Sequence, residues 1–215
     1  MKIVFKDKDI VVCEKPYGVS SQQSGGENMV DMLCAELGCQ VYPVHRLDTA
    51  TTGLMVYALN KSSAAKLSES MTKGELSKEY FAIVHGKIQT QGRLFDLLYH
   101  DRIKNKSFVV KTERKGSKRA ELLYEPVDNI AACDTELSLL RIKLITGRTH
   151  QIRVQMANMG ASLYGDGKYG ARDNGRIHLH SAYLSFPHPI KKETMSFHSV
   201  PEGNLWDSFK IIESE

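Results

Sequence analysis

Short apolar runs closed by glycine, proline or polar clusters recur along this chain more often than helical patterns do, and hairpin-length connections dominate between them. Ile3-Val4-Phe5 and Ile10-Val11-Val12-Cys13 flank the polar turn Lys6-Asp7-Lys8-Asp9, and Pro16 with Gly18 ends the second run. Further strands are expected at 54–59, 78–85, 108–110, 121–127, 135–145, 177–186 and 195–198. Helical spacing is confined to a few places. Residues 29–37 carry apolar side chains at 29, 30, 33 and 37, with Gly38 as terminator. Asn60 offers an N-cap for a helix to about Lys73, closed by Gly74. Thr149 is expected to cap a helix over about 150–159, stopped by Gly160, and a short terminal helix is expected over 206–211. This ratio predicts an α+β fold, a mixed, mostly antiparallel sheet flanked by a few helices.

At 215 residues, with 41% hydrophobic and 25% charged, the chain is expected to form one domain over 1–215 with a proper core. No apolar run approaches the roughly 20 residues of a membrane span, and charges interrupt the N-terminus where a signal peptide needs its apolar segment, so a cytoplasmic protein is expected. Cys13, Cys34, Cys39 and Cys133 form no Cys-x-x-Cys pair, which argues against a zinc ribbon or redox site and for buried free thiols. His178-x-His180 would share one face of a strand, but no third ligand has a convincing spacing, so no metal is expected. A metal-assisted hydrolase using His178, His180 and Asp166 is correspondingly remote. The net charge of +4 is unevenly spread. From Arg102 to Arg119 eight basic residues, Lys115, Lys118 and Arg119 among them, face the single acid Glu113. A run so one-sided reads as a phosphate-facing surface.

The most chemically suggestive segment is His45-Arg46-Leu47-Asp48-Thr49-Ala50-Thr51-Thr52-Gly53-Leu54. It sets one carboxylate between an arginine and a Thr/Gly turn, directly before a buried strand, where rigid backbone holds an acid within reach of substrate. An isolated Asp-Thr would be a turn cap. Three more motifs follow: Lys78-Glu79-Tyr80 on a strand, Gly147-Arg148-Thr149-His150-Gln151-Ile152-Arg153-Val154 with Gly165-Asp166 and Tyr169-Gly170, and Leu179-His180-Ser181-Ala182 with Leu184 and His188-Pro189. Arg148 and Arg153 near a helix start make a fair anion site on their own.

Together with Glu14-Lys15-Pro16-Tyr17-Gly18, these motifs resemble the RluA-type pseudouridine synthases, in that family's order and from Glu14 to Pro189. The resemblance implies a catalytic domain with a bent sheet and a central RNA-binding cleft, without the extra N-terminal RNA-binding domain of longer relatives. It makes Asp48 the catalytic nucleophile, Arg153 its ionic partner and Tyr80 the ring that stacks on the target uracil. By the same resemblance Arg46 fills the space of the flipped base, Leu184 helps wall the base pocket, and His180 is structural. His45 and Arg148 are expected to bind substrate. The implied activity is conversion of specific uridines in ribosomal or transfer RNA to pseudouridine. It needs no cofactor, no protein partner and no membrane, and a monomer is expected. The alternative is a non-catalytic binder of structured RNA, against which the intact Asp48, Tyr80 and Arg153 count. Ala50, Thr52 and Gln155-Met156-Ala157-Asn158 depart from the family pattern and bear on which RNA is modified.

Overall fold

The computed structural model describes residues 1–132, 135–173 and 175–210. In chain order its elements are β1 (Lys2–Lys6), β2 (Ile10–Lys15), α1 (Met29–Leu37), β3 (Tyr42–Pro43), β4 (Thr52–Ala58), α2 (Lys61–Thr72) and β5 (Ser77–His85). They continue as β6 (Gly92–Asp101), β7 (Lys106–Val110), β8 (Ser117–Ala132), β9 (Thr135–Leu144), α3 (Gln151–Asn158), β10 (Leu179–Pro187) and β11 (Thr194–His198). Strands are mixed and mostly antiparallel, as the sequence pattern predicts. The chain divides into two compact units that interleave in sequence, Met1–Lys78 with His180–Ser199, and Glu79–Leu179 with the segment from Val200.

In the first unit β1 pairs with β2, β2 with β4 and β11 with β10, all antiparallel, while β10 runs parallel to β4. That parallel contact is short, His180 opposite Thr52 and Ser181 opposite Gly53. Gly53 sits at φ +102, and a Cβ there would collide with the backbone of Ser181. Only glycine allows this approach. Inward residues of these strands, Val12, Leu54, Val56, Leu184 and Phe186 among them, form one core with Leu67 of α2. Both helices start as the sequence indicates. Asn28 accepts from the Asp31 amide and Asn60 from the Ser63 amide, and Gly38 closes α1 in the left-handed region.

In the second unit β5, β9, β8, β6 and β7 form an antiparallel array, with Tyr80 opposite Ile142 and Tyr124 opposite the same Ile142. Helix α3 covers one face, where Val154 packs with Leu98, Ala120 and Tyr169. Its N-cap differs from expectation. His150, not Thr149, is the cap residue, held at φ 55 without a side-chain cap bond. The reason is tertiary: the His150 ring pairs with the Tyr169 hydroxyl at 2.9 Å, and Gln151 Oε1 accepts from the Arg148 amide instead. Strand β6 went unpredicted because its burial does not alternate cleanly. A 3-10 turn over Asn204–Ser208 stands near the expected terminal helix, and Ile211 lies outside the described residues. The thiols also differ from expectation. Cys13 is buried, but Cys34 is half-buried and Cys39 exposed, and Cys133 lies outside the described residues.

Candidate active site

In the first unit, Asp48 is half-exposed on the turn that leads into β4, and its carbonyl accepts from the Thr51 amide at 2.9 Å. The turn is gripped from beneath. Lys15, only 1% exposed, donates from Nζ to the carbonyls of Pro16, Val19 and Thr49 at 2.8, 2.8 and 3.1 Å. Gly18 N donates to the Thr49 carbonyl, Ser21 Oγ to the Leu47 carbonyl, and the Tyr57 hydroxyl to the Ser21 carbonyl. Burial pushes the Lys15 ammonium down to about 8, against the pull of the Asp48 carboxylate. The motif by itself gives Lys15 no role; the signal is a lysine two residues past the apolar run Ile10–Cys13, where a buried charge needs partners.

Along the same segment the side chains alternate. Arg46 is exposed, whereas His45 and Leu47 are buried. His45 Nε2 accepts from the Val56 amide at 3.0 Å, and burial, with Lys78 nearby, holds the ring neutral and far below the usual imidazole range. His45 therefore ties the segment to β4 rather than presenting a group to substrate. Leu184 requires a correction: it is 0% exposed within the unit's core, on the same strand face as Phe186, and offers no wall to a pocket. His180 lies between Thr52 Oγ1, at 2.8 Å from Nδ1, and Ser199 Oγ, at 3.0 Å from Nε2, and Ser199 in turn donates to Glu14. Burial lowers its pKa to about 4.

In the second unit Tyr80 lies on β5, 4% exposed. Arg153, in the first turn of α3, makes a bidentate pair with Asp166, Nε to Oδ2 at 2.6 Å and Nη2 to Oδ1 at 2.8 Å, and its guanidinium lies 5.1 Å from the Tyr169 ring centre. Both members of the pair are buried. The resemblance implies Asp48 as the partner of Arg153; the carboxylate that takes its Nε and Nη2 is Asp166, which lies 13 residues on and reaches it only through the fold. Arg148 is exposed, with Nε donating to the Arg119 carbonyl, and Lys115, Lys118 and Arg119 are exposed on the loop before β8 and on its start.

His178 precedes β10 and packs edge-on against Tyr164, so the shared strand face supposed for a His178, His180 and Asp166 metal set is not formed. Among the described residues the group spaced to hold an ion is Asp7, Asp9 and His188. There His188 Nδ1 accepts from the amides of Ile190 and Lys191, so Nε2 carries the proton given to Asp7 Oδ2 at 2.8 Å. That tautomer leaves no lone pair for a metal.

A family model described as RNA pseudouridylate synthase matches residues 9–158, from Asp9 through the end of α3. The chain belongs to this family. Ribosomal large subunit pseudouridine synthase D of Zymomonas mobilis is 30% identical over 99% of this chain and 73% of its own length. For tRNA pseudouridine synthase C of Vibrio vulnificus the identity is also 30%, over 90% of this chain and 87% of the relative. The fold of Human RNA Pseudouridylate Synthase Domain Containing 1 matches with a TM-score of 0.79 at 22% identity, covering 94% of this chain and 83% of that one. Nothing in these relatives favours a non-catalytic RNA binder. No helix among the described residues is long and apolar enough to cross a membrane.

Proposed function

We propose that this synthase isomerises uridines in ribosomal or transfer RNA, with Asp48 as the group that starts the reaction. The observation that carries the reading is the Asp48 turn, a half-exposed carboxylate whose backbone is fixed by a buried lysine, a serine and a glycine amide. A nucleophile on so rigid a support loses little freedom on meeting substrate. The reaction breaks the N1 to C1′ bond, turns the uracil and joins C5 to C1′; the proton on C5 leaves to solvent and N1 takes one up. Its first step needs an ionised carboxylate. We assign Arg153 as the counter-charge to Asp48, with Asp166 fixing the guanidinium plane. Tyr80 receives the flipped base, Arg46 takes the space that the base vacates, and His45 holds the Asp48 segment in place. Arg148, Lys115, Lys118 and Arg119 meet phosphates. Flipping a base out of the stack costs a few kcal/mol, which phosphate contacts and stacking offset.

The two RNA classes come from the relatives' names. The synthase works in this reading as a cytoplasmic monomer without cofactor. Tritium release from RNA labelled at C5 of uridine measures turnover. Asp48→Asn is expected to abolish release while leaving RNA affinity and the circular dichroism spectrum unchanged; wild-type-like release would remove Asp48 from its role. Mapping pseudouridines in ribosomal and transfer RNA from cells with and without the gene names the substrate, as the site that disappears.

A further inference from the structure

Tyr169 has no task in the synthase reading, yet several elements of the second unit converge on its side chain. It closes the 3-10 turn Gly167–Tyr169, where its amide donates to the Asp166 carbonyl at 3.0 Å and Gly170 ends the turn in the left-handed region. The side chain is 9% exposed and packs with Leu98 of β6, Ala120 of β8 and Val154 of α3. Its hydroxyl accepts from the Ser107 amide of β7 at 2.8 Å and bonds His150 Nδ1, at the start of α3, at 2.9 Å. Ser107 Oγ donates in turn to the Thr149 carbonyl at 2.6 Å, so β7 and the entry to α3 are tied twice at this point.

The other end of the side chain meets Arg153. Asp166 holds that guanidinium along one edge, through Nε and Nη2. Hydrogen bonds at a carboxylate tolerate a broad range of angles, which leaves tilt about that edge as the soft motion of the group. Arg153 Cζ lies over the Tyr169 ring at 5.1 Å from its centre, so the ring occupies the ground into which the guanidinium would tilt and attracts it there. Both supports come from one turn, whose Asp166 carbonyl and Tyr169 amide are bonded to each other. A second cation, Lys106 Nζ, stands 5.1 Å from the same ring centre.

We infer that Tyr169 is a positioning residue for the synthase reaction: its hydroxyl fixes the turn against β7 and the start of α3, and its ring seats the Arg153 guanidinium. This deepens the synthase reading and rests on it, since the seat matters through the role assigned to Arg153. A tyrosine that only filled the core would need burial and partners for its hydroxyl. Here the ring is also set under a buried guanidinium whose edge is already committed, so the direction of Nη1 is fixed before substrate arrives.

Tyr169→Leu and Tyr169→Phe in the full chain separate the two ends of the side chain. Both remove the hydroxyl from the Ser107 amide and from His150, so both are expected to lower the urea midpoint; they differ in the ring. With each variant shown to be folded by circular dichroism, Tyr169→Leu is expected to lose roughly tenfold in single-turnover rate at unchanged RNA affinity, the scale of a misplaced reacting group. Tyr169→Phe is expected to rescue most of that loss. Tyr169→Met, unbranched and without a ring, serves in place of Tyr169→Leu if the latter does not fold. In an Arg153→Lys background the ringless change is expected to cost no further rate, because the seat no longer has a guanidinium to hold. Equal rates for the Phe and ringless variants, or a loss that adds to that of Arg153→Lys, overturn the positioning role. Tritium release by the wild type on ribosomal and transfer RNA is read first. Its absence would overturn the synthase reading itself, whereas release by the wild type with equal rates in the variants overturns only the role of Tyr169.

Discussion

Lys15 is an expensive residue to bury, and its three carbonyl acceptors explain why it stays where it is. Removing the ammonium while keeping the length, as Lys15→Met, takes a donor from three backbone oxygens beneath the Asp48 turn, of which the Thr49 carbonyl keeps only the Gly18 amide. Turnover is expected to fall at least tenfold in the tritium assay with little change in RNA affinity; unchanged turnover would mean the turn holds itself. The pH dependence separates this from unfolding. In the folded chain Lys15 titrates near 8, below its value of about 10.5 in the unfolded chain. Between those values the unfolded state binds more protons, so this group's contribution to stability rises with pH. Activity is nevertheless expected to decline above pH 8, because the neutral amine has one donor fewer and no charge beside Asp48. A decline that tracks loss of structure by circular dichroism would contradict this cause.

At the level of elements, the tie between α3 and the loop at Asp166 is the one most exposed to a conservative change. Lysine cannot reproduce the planar fork of Arg153. Arg153→Lys is expected to lower stability by about 2 kcal/mol, the scale of a lost charge-assisted hydrogen bond, read as a shifted urea midpoint with unchanged slope. It is expected to reduce turnover far more than RNA binding, since guanidinium orientation serves the reaction. Near-normal turnover with lowered stability would leave the pair a purely structural device. The neighbouring cap shows why local rules are insufficient here. Thr149 has the chemistry of an N-cap, but the His150 ring is drawn to Tyr169, and the backbone follows it into the left-handed region.

For the molecule as a whole, acid and salt are the informative variables. His180 is buried between two hydroxyl groups and titrates near 4, against about 6.5 unfolded. A depressed imidazole makes its full contribution above pH 6.5 and loses it as pH falls toward 4, by up to about 3 kcal/mol. Urea midpoints at pH 7 and pH 4.5 are expected to show this loss in the wild type and a smaller one in His180→Gln; equal losses would assign the acid sensitivity elsewhere. Neutralising Lys115, Lys118 and Arg119 together is expected to weaken binding to every RNA and flatten the salt dependence, since each lost phosphate contact releases roughly one fewer counterion. Filter-binding titrations at several salt concentrations measure the slope, and an unchanged slope would make the segment a solvated surface only.

The helix starts at Met29 and Asn60, the stop at Gly38, the apolar runs of β2 and β4 and the four motifs could be read from the chain alone, because each depends on residues a few positions apart. Asp48 and Lys15 were visible as letters in the same way. What they touch was not. That Lys15 reaches the Thr49 carbonyl, that Asp166 takes the fork of Arg153, that Leu184 turns into the core and that His150 caps α3 all require distant segments to meet. The same holds for Phe95, Leu123 and Ile145, exposed on one face of the second unit's sheet. Sequence shows these as three unrelated apolar residues, and only strand register puts them on one face. Local chemistry fixes which elements form and which side chains can react, whereas the pairing of strands decides which of those side chains face one another, the core or the solvent.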